Sequence, residues 1–103
     1  MNRARDTLDK SQVVVIKVGS ALLVDEKLNR INQEWLTGMA ADIAELHTTG
    51  KAVVVVSSGA IALGQQGLCL PKRGLRLEEK QAAAATGQVI LANAWMMALA
   101  KHN

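Results

Sequence analysis

Two short stretches place residues capable of chemistry at the ends of apolar runs. The first is Ile16-Lys17-Val18-Gly19-Ser20 and the second is Val56-Ser57-Ser58-Gly59-Ala60. Lys17 interrupts an otherwise apolar segment, and an ammonium there is costly unless it reaches water or an anion. Gly19 removes the side chain that would keep a phosphate away from backbone N–H groups. Gly59 does the same in the second stretch, where Ser58 adds a hydroxyl and an amide near the expected start of a helix, a position that favours anions. Taken singly, each stretch is also ordinary turn chemistry, and a lysine at a strand end often only snorkels to water. Two anion-friendly loops at one edge of one unit raise a phosphate or carboxylate site to equal standing with that plainer reading. Neither a GxxxxGK[ST] loop nor a GxGxxG fingerprint is present, so the common nucleotide loops are excluded.

Other candidates carry less. His47 and His102 fall near expected helix ends, where a dipole partner is the simpler role than a ligand. Cys69 is the single cysteine, which excludes an intrachain disulfide and a cysteine-based zinc site. No activating partner is evident for it, so it reads as inert. Lys72, Arg73 and Arg76 form the one basic cluster, a solvated loop or a contact to a partner subunit. Gln81 and Gln88 stand seven apart on one helical face and could line a site or an interface.

The elements that position these groups follow from pattern. Gln12–Val18 (QVVVIKV) and Lys51–Ser57 (KAVVVVS) are β-branched runs that read as strands apolar on both faces. Between them Leu36, Met39, Ile43 and Leu46 recur at helical spacing, with Asn32 as N-cap and Gly50 as the residue past the C-cap. Strand, helix, strand predicts a parallel βαβ unit with a right-handed crossover, so the fold class is α/β. A short helix is expected over Ala60–Gly67, a loop over Leu68–Arg76, and a long helix over Leu77–His102. The last should be heavily buried, since Val89, Ile90, Ala94, Trp95, Met97 and Ala98 cover much of its circumference. Residues 1–11 form a polar segment ahead of the domain part, 12–103. A two-stranded parallel sheet cannot protect its own edges and faces. The chain therefore reads as the truncated start of a longer domain.

Composition narrows the class. The chain has 103 residues, 50% hydrophobic and 20% charged, with a formal net charge of +3. That is globular, and with Trp35 and Trp95 as its sole aromatics it lacks the basic stripe and stacking rings of a nucleic-acid binder. The first ten residues are charged, with no apolar segment behind them. The apolar stretch from Val89 to Ala100 is broken by Asn93 and too short to span a bilayer. Together with the lone cysteine this predicts a cytoplasmic protein without a membrane association.

The segments VVVIKVGSALL, VVVVSSGAIALG and EEKQAAAATGQ together resemble the amino-acid kinase family, and the match runs from about Gln12 to the end. The strand-Lys-x-Gly start is general to that family. The SSGAIALG loop and KQAAAATGQ helix are closest to the members that phosphorylate the γ-carboxylate of glutamate. The resemblance implies the start of a three-layer sandwich and an ATP-dependent, magnesium-assisted in-line transfer that makes glutamyl 5-phosphate for proline biosynthesis. It implies that Lys17 contacts the ATP phosphates and stabilises the transferring group, with Gly19 and Ser20 also at those phosphates. Ser58 is implied to bind L-glutamate, with Gly59 and Ala60 shaping its pocket. Magnesium would be held by the nucleotide, without a metal ligand from this chain. The adenine pocket, a second phosphate-directed lysine, and an Asp and Asn of the glutamate site would lie beyond position 103. A homo-oligomer and feedback inhibition by proline are further implications. The alternatives are another small-carboxylate or phosphate kinase of the family, which substrate profiling separates, and a non-catalytic ligand-binding or interaction module, favoured if the natural reading frame stops at Asn103.

Overall fold

The computed structural model describes residues 3–25, 27–71 and 74–102. In chain order the elements are helix α1 (Arg3–Lys10), strand β1 (Val13–Val18), helix α2 (Ser20–Leu23), strands β2 (Val24–Asp25) and β3 (Arg30–Ile31), helix α3 (Gln33–Thr48), strand β4 (Ala52–Ser57), and helices α4 (Ala60–Gly67) and α5 (Leu77–Ala100). Lys72 and Arg73 of the basic cluster lie outside the described residues.

β1 and β4 pair in parallel, with Val13 opposite Ala52, Lys17 opposite Val56 and Val18 opposite Ser57. This is the expected α/β unit, with a parallel sheet and helices. Its α3 is built as the spacing predicts. Asn32 caps the helix by accepting a hydrogen bond from the Trp35 amide at 3.2 Å, and Gly50 follows the last turn at φ +87°. Leu36, Ala40 and Ile43 form its buried stripe. Asn32→Ala is expected to cost about 1 kcal/mol, read as a lower urea midpoint at an unchanged slope.

Four elements were not evident in the sequence pattern. The polar N-terminal segment contains α1, held by Lys51, whose ammonium donates to the carbonyls of Leu8, Asp9 and Ser11 at 2.9, 3.0 and 2.5 Å. A cation on the last carbonyls of a helix completes acceptors that the helix itself leaves open. Directly after β1 comes the single-turn α2, and then the antiparallel pair β2–β3, with Val24 opposite Ile31 and Asp25 opposite Arg30. The turn between those strands is drawn tight by Asp25, whose carboxylate accepts from the Lys27 amide at 3.0 Å.

The core is one-sided. Val18, Leu23, Val24, Leu36, Ala40, Ile43, Leu63, Leu91, Trp95 and Ala98 form one buried cluster, and Ile16, Val53 and Val55 pack against it from the sheet. The opposite sheet face, Val13, Val15, Lys17, Ala52, Val54 and Val56, is exposed, with Val15 63% and Val54 48% accessible. The expectation of strands buried on both faces thus holds for one face only, because every described helix that contributes to the core lies on the other side.

α5 also departs from expectation. It buries a single stripe, Ala83, Gly87, Leu91, Trp95 and Ala98, rather than most of its circumference. Val89 is 70% exposed, and Met96 and Met97 are exposed as well. By length and composition alone α5 could cross a membrane, but its periodic buried stripe, packed on α3 and α4, is that of a core-facing helix. α4 and α5 meet backbone to backbone. A Cβ added at Gly64 would stand 1.7 Å from the Ala83 carbonyl oxygen, and one at Gly87 would stand 1.5 Å from that of Ala60. Neither position has room for a methyl group.

Candidate active site

The parallel register sets the carboxyl ends of β1 and β4 side by side, and both chemistry-bearing loops leave from that edge. The Ser58 amide donates to the Val18 carbonyl at 3.2 Å, and its hydroxyl lies 3.5 Å from the same oxygen. The second loop is thereby stitched to the end of the first strand. Gly59 adopts φ +116° and ψ 0°, a backbone that side chains rarely tolerate. A Cβ there would also come 2.8 Å from Val24 Cγ2 and 3.7 Å from Ser20 Cβ. Glycine is favoured there by conformation, and an added side chain would press on Val24 and face Ser20 of the first loop.

Each loop runs straight into a helix that has no side-chain cap. Gly19 precedes α2 and Gly59 precedes α4, and neither can supply the oxygen that normally accepts the first-turn amides. Uncapped first turns leave N–H groups available to an outside acceptor, which is the arrangement that favours an anion. For the second loop a helix start was expected; for the first it was not, and the Gly-Ser-Ala-Leu-Leu sequence after β1 was the available signal.

Lys17 is exposed on the open face of β1, one residue before the edge. Among the described residues its ammonium has no hydrogen-bond or ion-pair partner. The structure therefore brings together Lys17, Gly19, Ser20, Ser58, Gly59 and Ala60 around one sheet edge. It does not bring in His47, His102, Cys69, Gln81 or Gln88, which are exposed on other elements. Among the described residues no three His, Cys, Asp or Glu side chains gather to hold a metal. Two residues with a part in the edge escaped sequence reasoning. Val24 walls in Gly59, and Gly87 meets Ala60 from α5; both are long-range contacts without a local signature.

A separate open cleft of about 1050 Å³ lies between the β2–β3 turn, α3, α4 and α5, lined among others by Arg30, Gln66, Asn93 and Lys101. No residue of the two loops lines it. The two glycine loops lie outside this hollow, at the carboxyl ends of β1 and β4.

A known family model, that described as the amino acid kinase family, matches residues 12–103. The chain belongs to the amino acid kinase family. Among curated relatives, a protein named glutamate 5-kinase from Nitrobacter winogradskyi is 53% identical over 98 residues, covering 95% of this chain and 26% of its own. One named glutamate 5-kinase 1 from Rhizobium meliloti is 53% identical over 102 residues, with 99% and 26% covered. A third, glutamate 5-kinase from Rhizobium rhizogenes, is 57% identical over 96 residues, with 93% and 24% covered. The chain thus spans about a quarter of the length of these amino acid kinase relatives.

Proposed function

We propose that this chain is the amino-terminal part of a kinase that transfers the γ-phosphoryl group of ATP to the γ-carboxylate of L-glutamate, giving L-glutamyl 5-phosphate, the first step toward proline. The observation that carries this reading is the meeting of the two glycine loops at one sheet edge beside Lys17, which has no ion-pair partner among the described residues, in a chain about half identical to proteins named glutamate 5-kinase.

In this reading the glutamate γ-carboxylate, ionised at neutral pH, attacks phosphorus directly and needs no general base. One carboxylate oxygen forms the new P–O bond while the bond to the ADP oxygen breaks. The protein's task is to hold the two reactants in line and to stabilise charge on the equatorial oxygens. Lys17 and the amides after Gly19, with Ser20, meet the phosphates of ATP. Ser58 holds the glutamate, and Gly59 and Ala60 let its backbone come close. Magnesium fits no donor set here, because the loop residues include no carboxylate; it is held by the nucleotide. The same reading carries a cytoplasmic setting, a homo-oligomer and feedback inhibition by proline.

Ser58→Ala in the full-length kinase tests the assignment of the loops. Losing a hydrogen bond to a charged carboxylate costs about 1.5 to 3 kcal/mol. The expected outcome is a raised Michaelis constant for glutamate with a smaller change for ATP. An effect on ATP alone would mean that the two loops have exchanged roles.

A further inference from the structure

We propose that Gly87, in the middle of α5, is a positioning residue that fixes the Ser58–Ala60 loop through the Ala60 carbonyl. The proposal rests on reading that loop as the glutamate-binding one.

Glycine is the poorest helix former after proline, so its place at the centre of a 24-residue helix needs a reason. The space around it supplies one. A Cβ on Gly87 would lie 1.5 Å from the Ala60 oxygen, 2.5 Å from the Ala60 carbonyl carbon and 2.8 Å from the Gly64 nitrogen. All three are main-chain atoms, which cannot rotate aside as a side chain does. Ala60 opens α4, and only Gly59 separates it from Ser58. Gly59 itself sits at φ +116°, and a Cβ built on it would stand 2.8 Å from Val24 Cγ2, so Val24 lines the other side of the loop. Ser58 is pinned in turn by its amide on the Val18 carbonyl at 3.2 Å. The loop is therefore gripped between β1 with Val24 on one side and α5 on the other, and Gly87 sets the depth of that grip. A methyl group here must drive the first turn of α4 outward and carry the Ser58 hydroxyl with it.

Gly67 provides the contrast. It belongs to the same helix pair, but its added Cβ would meet only side-chain ends, Ile90 Cδ1 at 3.2 Å and Thr86 Cγ2 at 3.5 Å. These can yield without moving any backbone, and they lie at the far end of α4 from the loop.

The test compares Gly87→Ala, Gly67→Ala and Ser58→Ala in the full-length kinase by steady-state kinetics. A misplacement near 1 Å can cost up to about a hundredfold in rate or binding. Gly87→Ala should raise the glutamate KM by about tenfold or more and change the ATP KM less than about twofold, whereas Gly67→Ala should match wild type in both. A Gly87→Ala enzyme with an unaltered glutamate KM, or with both constants raised alike, overturns the proposal. If Ser58→Ala leaves the glutamate KM untouched, the reading of the loop itself has failed. If it raises that KM while Gly87→Ala is silent, only the role of Gly87 is lost. Should Gly87→Ala not fold, hydrogen exchange on the wild-type enzyme decides. Saturating glutamate should slow exchange in segments 58–63 and 84–90 together, and protection confined to 58–63 would refute the coupling.

Discussion

Lys17→Ala in the full-length kinase is expected to lower kcat by about two to three powers of ten, the loss of roughly 3 to 4 kcal/mol of transition-state stabilisation. Glutamate binding should change far less. The size follows from where the ammonium stands. Lys17 is exposed at the end of a strand, with no ion-pair partner among the described residues to share its charge. Bound phosphates would be the groups to neutralise it, and the ammonium would stabilise the charge that redistributes over the phosphates as the bond to ADP breaks. An interaction that strengthens toward the transition state appears in kcat rather than in KM. Lys17→Arg should recover only part of the rate, since a planar guanidinium is longer and presents its donors differently. Kinetic constants for Lys17→Ala within about threefold of wild type would remove this residue from the mechanism.

The 103-residue chain by itself is expected to show no detectable glutamate phosphorylation and to self-associate. It covers 26% of the length of its Nitrobacter relative, and in the proposed reading the adenine pocket and a second phosphate-directed lysine are supplied by parts of the kinase other than this chain. ATP would lack orientation, and most of the advantage of positioning would be lost. Association follows from the sheet. Val13, Val15, Val54 and Val56 lie bare on one face, beside β-strand edges that no third strand pairs with among the described residues. A coupled ADP-release assay run beside size-exclusion chromatography checks both halves. A monodisperse monomer that turns over glutamate would overturn the account of where the remaining catalytic groups lie.

The parts of this fold legible in the sequence are those with local causes. Asn32 and Gly50 bound α3 because capping and a left-handed C′ residue are decided within a turn of chain. The β-branched runs of β1 and β4 announce strands by composition. α2 and the β2–β3 pair stayed hidden because four-residue and two-residue elements are too short to show any period. The burial of α5 was misjudged for a different reason. Its apolar residues ring the helix, and sequence alone does not say which of them meet a neighbour. Of the candidate site, Lys17, Gly19, Ser58 and Gly59 were visible as residue types at strand ends. The grip of Val24 and Gly87 on the second loop was not, because each contact joins positions far apart in the chain and leaves no local pattern.

The long separation between the paired strands bears on how such a chain is made. Ser58 and Val18, whose contact closes the sheet edge, stand 40 residues apart in sequence, and parallel pairing cannot begin until the later strand exists. At the usual pace of about 5 to 20 residues per second, a ribosome needs roughly 2 to 8 s to deliver the second strand after the first. Throughout that interval the nascent valine-rich segment of β1 has no strand to join, and α3 has only part of its eventual surroundings. Slow codons between these strands would lengthen that exposure.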